Sequence, residues 1–166
     1  ERGTNESYSL RVDDHTANLN ATTVFGAIRG LQSFSTLVQF NVTSATYTIF
    51  QTDVEDFPRF EFRGVMADTA RNYISFGELR MMCDSMEQSR YNALHLHLTD
   101  VESWPMEIEG FPKLTQWLSF GNHPYNTAAN YSKVHAYSIE QMQKLVEYCE
   151  DRAIRIIPEV DMPGHF

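Results

Sequence analysis

The chain has 166 residues, 13 Lys and Arg against 22 Asp and Glu, a net charge of −9 and 42% hydrophobic residues. That balance describes an acidic globular chain with length for one domain and a small attachment, and it excludes wholesale disorder. No Lys/Arg run offers a nucleic acid or an anionic membrane a foothold, and no apolar stretch approaches the ~18 residues of a membrane-spanning helix, so neither partner is expected. Glu1-Arg2-Gly3 is neither a start methionine nor a signal peptide and reads as a trimmed front end.

In chain order, residues 8–12 alternate like a strand, and 17–19 can pair with them. From Thr23 to about Phe40 the apolar positions Val24, Ala27, Ile28, Leu31, Phe34, Leu37 and Val38 follow the helical period. Gly26 and Gly30, one turn apart, give that helix a smooth stripe suited to close approach to a sheet. Residues 46–50 read as another strand, and 53–60, with Pro58, as a connector. Residues 1–55 thus make a small α/β domain.

After Pro58 the pattern changes. Phe62 to Ala67 is a short apolar run, followed by a helix over 77–90 with Leu79, Met82, Cys83 and Met86 on one face. A second strand spans 92–98, a long loop 101–137, a helix 138–152 and a third strand 154–160. Alternating helices and near-continuously apolar strands predict parallel βαβ units, and the polar residues just past each strand predict the rim of a (β/α)8 TIM barrel. Such a barrel needs about 250 residues. Residues 56–166 hold only three strands, so either the sheet is open or this chain is a piece of a barrel, its first three strands, with the barrel incomplete in this chain.

Four N-x-[ST] sequons, at Asn5, Asn20, Asn41 and Asn130, exceed what chance usually gives and point to a secretory route, with a secreted or lysosomal destination. Asn20 also suits a helix N-cap. Cys83 and Cys149 each fall on an amphipathic helical stretch and read as buried free thiols rather than a disulfide, leaving the compartment to the sequons.

The strand ends carry ionisable groups: Asp68 and Arg71 after the first, His95, His97 and Asp100 on and after the second, Glu159, Asp161 and His165 on and after the third. A carboxylate beside an imidazole can fix its tautomer, and an arginine fork suits paired hydroxyls, so the rim fits a polar ligand. By residue type alone, Asp68 and Arg71 also suit an ordinary ion pair. His95 and His97, with Asp161 and His165, also suit either zinc ligation or hydrogen-bonded packing. Glu159 is expected to point into the barrel and pair with a neighbour. Trp104 and Trp117 are expected to fold the long loop down rather than to stack on a ligand.

Three ordered motifs, Phe-Arg-Gly-Val-Met-Ala-Asp-Thr-Ala-Arg at 62–71, Tyr-Asn-Ala-Leu-His-Leu-His-Leu-Thr-Asp at 91–100 and Ile-Pro-Glu-Val-Asp-Met-Pro-Gly-His at 157–165, resemble the β-N-acetylhexosaminidases of glycoside hydrolase family 20. The front portion, with Glu6-Ser-Tyr-Ser-Leu and Gly26-Ala-Ile-Arg-Gly-Leu-Gln-Ser-Phe-Ser, resembles that family's small α/β domain. The resemblance implies that Arg71 binds hydroxyls of the terminal sugar. It implies further that Asp100 lines the same pocket and bonds toward His165, that His165 contacts the general-acid glutamate, and that Asp161 orders the pocket. It implies no cofactor and no metal, with His95 and His97 as hydrogen-bonded core groups.

The implied mechanism is substrate-assisted and retaining: the sugar's 2-acetamido oxygen attacks the anomeric carbon while a glutamic acid protonates the leaving oxygen. The Asp-Glu pair for these steps belongs to the fourth strand, beyond Phe166, so this chain alone is expected to be inactive. Implied partners are an N-acetylhexosamine-terminated glycan, the remainder of the enzyme as a second chain or missing segment, and a second copy in a homodimer. Leu96 stands where the family often has tryptophan, and Val101 where a second acid is frequent. The competing readings are an inactive sugar-binding module that keeps Arg71 and Asp100, and a zinc amidohydrolase fragment built on His95 and His97.

Overall fold

A computed structural model describes residues 4–118 and 135–164, and the chain divides into two compact units, residues 1–62 and 63–166. Asn130 and His165 lie outside the described residues.

In the first unit β1 (Tyr8–Val12) is the central strand of an antiparallel sheet, between β2 (Ala17–Ala21) and β5 (Thr52–Asp56). Tyr8, Leu10 and Val12 alternate inward and form the core with Leu19, Phe34, Leu37, Ile49 and Val54. Helix α1 (Val24–Leu37) packs on this sheet, its N-terminus capped by the Thr23 hydroxyl, which accepts from Gly26 N at 3.1 Å. Asn20 is therefore a strand residue and not the cap. The glycine stripe meets the sheet edge directly: a Cβ at Gly26 would lie 2.4 Å from the Ser7 carbonyl oxygen, and one at Gly30 would lie 2.2 Å from Leu19 Cδ1. Arg29 of α1 pairs with Glu6 at 2.7 Å, both side chains 3% exposed.

Two expectations are corrected here. The stretch 53–60 is not wholly a connector, because Thr52–Asp56 pairs along all of β1; its acids tolerate a strand because they sit on an edge with alternate side chains in solvent. The helix ends at Leu37 rather than near Phe40. Gln39–Asn41 (β3) instead pairs with Thr46–Thr48 (β4), and Asn41 Oδ1 accepts from Thr43 N and Ser44 N to close the turn.

The second unit is a parallel sheet in the order β6 (Gly64–Asp68), β7 (Ala93–Thr99), β8 (Arg155–Val160). Helix α2 (Phe76–Gln88) connects β6 to β7. Helix α4 (Ile139–Glu150) precedes β8, and the short α3 (Pro112–Leu118) interrupts what the sequence suggests is one long loop. Both long helices open on full capping boxes, Ser75 with Glu78 and Ser138 with Gln141. They close alike, with Arg90 and Ala153 at positive φ and the next amide returning to Met86 O or Cys149 O.

Leu94, Leu96 and Leu98 of β7 are fully buried in one core with Leu79, Met86, Leu145 and Cys149, which by strand alternation turns His95, His97 and Thr99 to the other face. The expectation of free thiols is overturned: Cys83 and Cys149 form a disulfide, their Cα atoms 5.9 Å apart. Both lie on the inward faces of α2 and α4, which pack against each other over the sheet, so burial and pairing are compatible. Outside the bridge, Tyr148 of α4 donates to Asp84 of α2 at 2.6 Å, with the Arg80 and Arg152 guanidiniums over its ring. No helix among the described residues is long and apolar enough to cross a membrane.

Candidate active site at the strand ends

Parallel register brings Asp68, His97 and Glu159 side by side, since Asp68 pairs with His97 across β6–β7 and His97 with Glu159 across β7–β8. The strand ends are also tied crosswise. Thr69 donates to His97 O from both its amide and its hydroxyl, each at 3.0 Å, and Asp161 N donates to Thr99 Oγ1 at 3.1 Å. Ser103 Oγ donates to Ala70 O, which fastens the loop after β7 to the loop after β6.

On this frame Asp68 Oδ1 accepts from Ala70 N and Arg71 N, a local turn that fixes where Arg71 departs. Three carboxylates then surround the Arg71 guanidinium: Asp68 at 2.9 Å, Asp100 at 2.5 Å and Glu102 at 3.7 Å. Burial works against the charge on Arg71, but Asp100, then Asp68 and Glu102, outweigh it and raise its pKa. The Arg71 side chain remains 47% exposed while that of Asp100 is 2% exposed. One end of the pair is therefore fixed in protein and the other faces solvent.

Asp100 Oδ2 also meets His97 Nε2 at 2.9 Å, and its Oδ1 accepts from Val101 N at 2.7 Å. The other ring nitrogen of His97 lies 3.2 Å from Glu159, which in turn lies 2.6 Å from His95 Nε2. Burial pulls the His97 pKa down, yet Asp100, Glu159 and the charge of Asp68 more than offset this and raise it above the ordinary histidine value. Burial likewise pushes the Glu159 carboxyl up, and the two histidines reverse this and hold it below the usual glutamate value. The Tyr73 ring stacks on His135 and on Tyr137, its centroid 4.9 Å from each, and the Tyr137 hydroxyl, its pKa pushed up by burial, donates to Ile74 O.

The structure thus brings Arg71 and Asp100 into contact, and a ligand atom of Asp161 lies within 4.8 Å of those of His97 and Glu159. Within that trio the His97 ring meets Glu159 at Nδ1, and it meets Asp100, outside the trio, at Nε2. Glu102, which the sequence reading leaves out, joins the Arg71 cluster. Glu159 pairs with two histidines rather than one neighbour. The signal for Glu159 was the Leu-His-Leu-His alternation, whose partners depend on register between strands and not on spacing within one. Trp104 is buried, in keeping with a loop-folding role.

Residues 60–166 match the family model described as glycosyl hydrolase family 20, catalytic domain, and residues 1–37 match one described as beta-acetyl hexosaminidase like. The chain belongs to glycosyl hydrolase family 20. Similar family-20 proteins include the beta-hexosaminidase subunit alpha of Bos taurus, 37% identical over 98% of this chain and 29% of that protein. Another is beta-hexosaminidase 3 of Arabidopsis thaliana, 37% identical over 99% of this chain and 30% of that protein. Among solved structures, the Flavobacterium johnsoniae chitobiase superposes with a TM-score of 0.82 at 32% identity, over 99% of this chain and 23% of the other. The Vibrio harveyi GH20 exo beta-N-acetylglucosaminidase in complex with N-acetylglucosamine gives a TM-score of 0.85 at 28% identity, over 96% and 26%. The chain spans less than a third of the length of these relatives.

Proposed function

We propose that this chain is the amino-terminal part of an exo-acting β-N-acetylhexosaminidase that removes terminal N-acetylhexosamine from glycoconjugates or chitin oligosaccharides. In this reading residues 1–55 form a small non-catalytic α/β domain, and β6, β7 and β8 are the first three strands of a (β/α)8 barrel. The observation that carries it is the half-exposed Arg71 fork, clasped by Asp68, Asp100 and Glu102 at the carboxyl ends of parallel strands, where barrel enzymes bind substrate.

Arg71 grips hydroxyls of the non-reducing sugar, Asp100 holds Arg71, lines the pocket and bonds toward His165, His165 contacts the general acid, and Asp161 helps order the pocket. Chemistry is substrate-assisted and retaining, with the acetamido oxygen as nucleophile and an Asp-Glu pair supplied by polypeptide beyond Phe166. No cofactor takes part. The rest of the enzyme, as a following segment or a second chain, closes the sheet edges, and a homodimer is the assembly.

A lysosomal or secreted location is supported by the Cys83–Cys149 disulfide, which persists in oxidising compartments. The sequons support it as well. Asn5 and Asn41 are exposed, Asn20 lies on the outer strand β2, and with Asn130 they are the proposed glycan acceptors. The test is hydrolysis of a chromogenic N-acetyl-β-glucosaminide by the full-length protein, with intact-mass analysis of every polypeptide present. Turnover with release of a single terminal sugar is expected. Sugar binding without turnover by a protein carrying the fourth-strand segment overturns the enzymatic reading and leaves a binding module.

A further inference from the structure

Carboxylates accept hydrogen bonds and donate none, so a ring nitrogen held against a carboxylate carries a proton. His97 has a carboxylate at each nitrogen: Asp100 at 2.9 Å from Nε2 and Glu159 at 3.2 Å from Nδ1. Its side chain is 8% exposed, so water does not substitute for either partner. Its backbone is fixed as well, the carbonyl receiving two hydrogen bonds from Thr69. The groups around it are strongly unbalanced. Asp68 flanks it from β6, Glu159 from β8, Asp161 from just past β8, and Asp100 and Glu102 from the loop after β7, with the permanent cation Arg71 among them. His95, on its own strand, shares Glu159.

A charge on His97 adds to the support that the nearly buried Asp100 carboxylate receives from Arg71, which is itself shared with Asp68 and Glu102. We infer that His97 is a positioning residue of the sugar pocket, a doubly bonded imidazolium that ties Asp100 to Glu159 across two strands and thereby holds in place the buried carboxylate that Arg71 meets. This rests on the reading of Arg71 as the group that grips the terminal sugar. The ordered chain runs His95, Glu159, His97, Asp100, Arg71, passing from β7 to β8 and back before it reaches the loops after β7 and β6, so the aim of the guanidinium is set in part through β8. The lowered pKa of Glu159 fits the same arrangement, since it keeps the shared proton on the ring rather than on the acid.

The experiment uses the full-length protein labelled with 15N-histidine, followed across pH 5 to 9, beside His97→Phe and His97→Gln variants assayed on a chromogenic N-acetylhexosaminide. One histidine should remain doubly protonated above the 6.5 of an ordinary imidazole, and that signal should vanish in both variants. His97→Phe should raise KM about tenfold or more with a smaller loss in kcat, and His97→Gln, which restores one donor toward Asp100, should recover part of the loss. Histidines that all titrate in the ordinary range, or a His97→Phe enzyme with unchanged KM, overturn the inference. The two failures are distinguishable. A protein that hydrolyses nothing sinks the glycosidase assignment and the sugar-pocket role with it, whereas an active protein that lacks the imidazolium signal, or whose His97→Gln variant keeps the native KM, sinks this inference alone, and His97→Gln supplies that reading if His97→Phe does not fold.

Discussion

Arg71 and Asp100 share a 2.5 Å ion pair in which the carboxylate side is almost wholly buried and the guanidinium side reaches solvent. Such a pair presents a cationic fork that is held from behind and free in front.

Replacing Arg71 by Ala removes every directed contact that fork can offer to sugar hydroxyls. The expected result in the full-length enzyme is a fall in kcat/KM of about tenfold to a hundredfold, seen mainly in KM. Arg71→Lys should recover little, because one ammonium cannot face Asp68, Asp100 and Glu102 at once and still meet a ligand. Steady-state kinetics on the two variants check this.

The two perturbed groups at the centre of the cluster define a pH window for site integrity. His97 is raised in the folded state, so its contribution is full below 6.5 and is lost as pH rises through the higher folded value. Glu159 is lowered, so its contribution is full above 4.5 and is lost as pH falls through the lower folded value. Both operate fully between 4.5 and 6.5, an acidic range. Thermal unfolding measured against pH should show its plateau there, and His97→Phe should flatten the alkaline side of that curve.

In the first unit, Gly26→Ala should destabilise more than Gly30→Ala. The added methyl at Gly26 meets the Ser7 backbone oxygen, which cannot yield without moving the chain, whereas at Gly30 the nearest atom ends a Leu19 side chain that can rotate. A cost of about 1–3 kcal/mol for Gly26→Ala, measured by denaturant unfolding, is the expectation.

The Cys83–Cys149 bridge spans 66 residues of sequence, and closing so long a loop restricts the unfolded chain substantially. Cys83→Ser with Cys149→Ser, or reduction of the native protein, should lower stability by about 3–4 kcal/mol. Comparing denaturant midpoints with and without reductant reads the difference.

Much of the second unit is legible in the residues themselves, because the apolar period of Leu79 to Met86 and of Met142 to Cys149 is helical while Leu94 to Leu98 alternates. The strand-end positions of Asp68, Arg71 and Asp100 follow from the same pattern. What escapes a linear reading is whatever depends on a partner far along the chain. Thr52–Asp56 is too acidic to look like a strand until β1 supplies its hydrogen bonds. Cys83 and Cys149 look like two separate core residues until α2 and α4 are laid side by side. Glu159 joins His97 only when β7 and β8 take their register.

The bridge has one more consequence. The whole segment between β7 and α4 falls inside the ring that Cys83 and Cys149 close. A protease that nicks the chain anywhere between residues 101 and 137 would therefore not release a fragment. The two pieces would migrate as one species until a thiol was added, so maturation by cutting at this place would be invisible on a non-reducing gel.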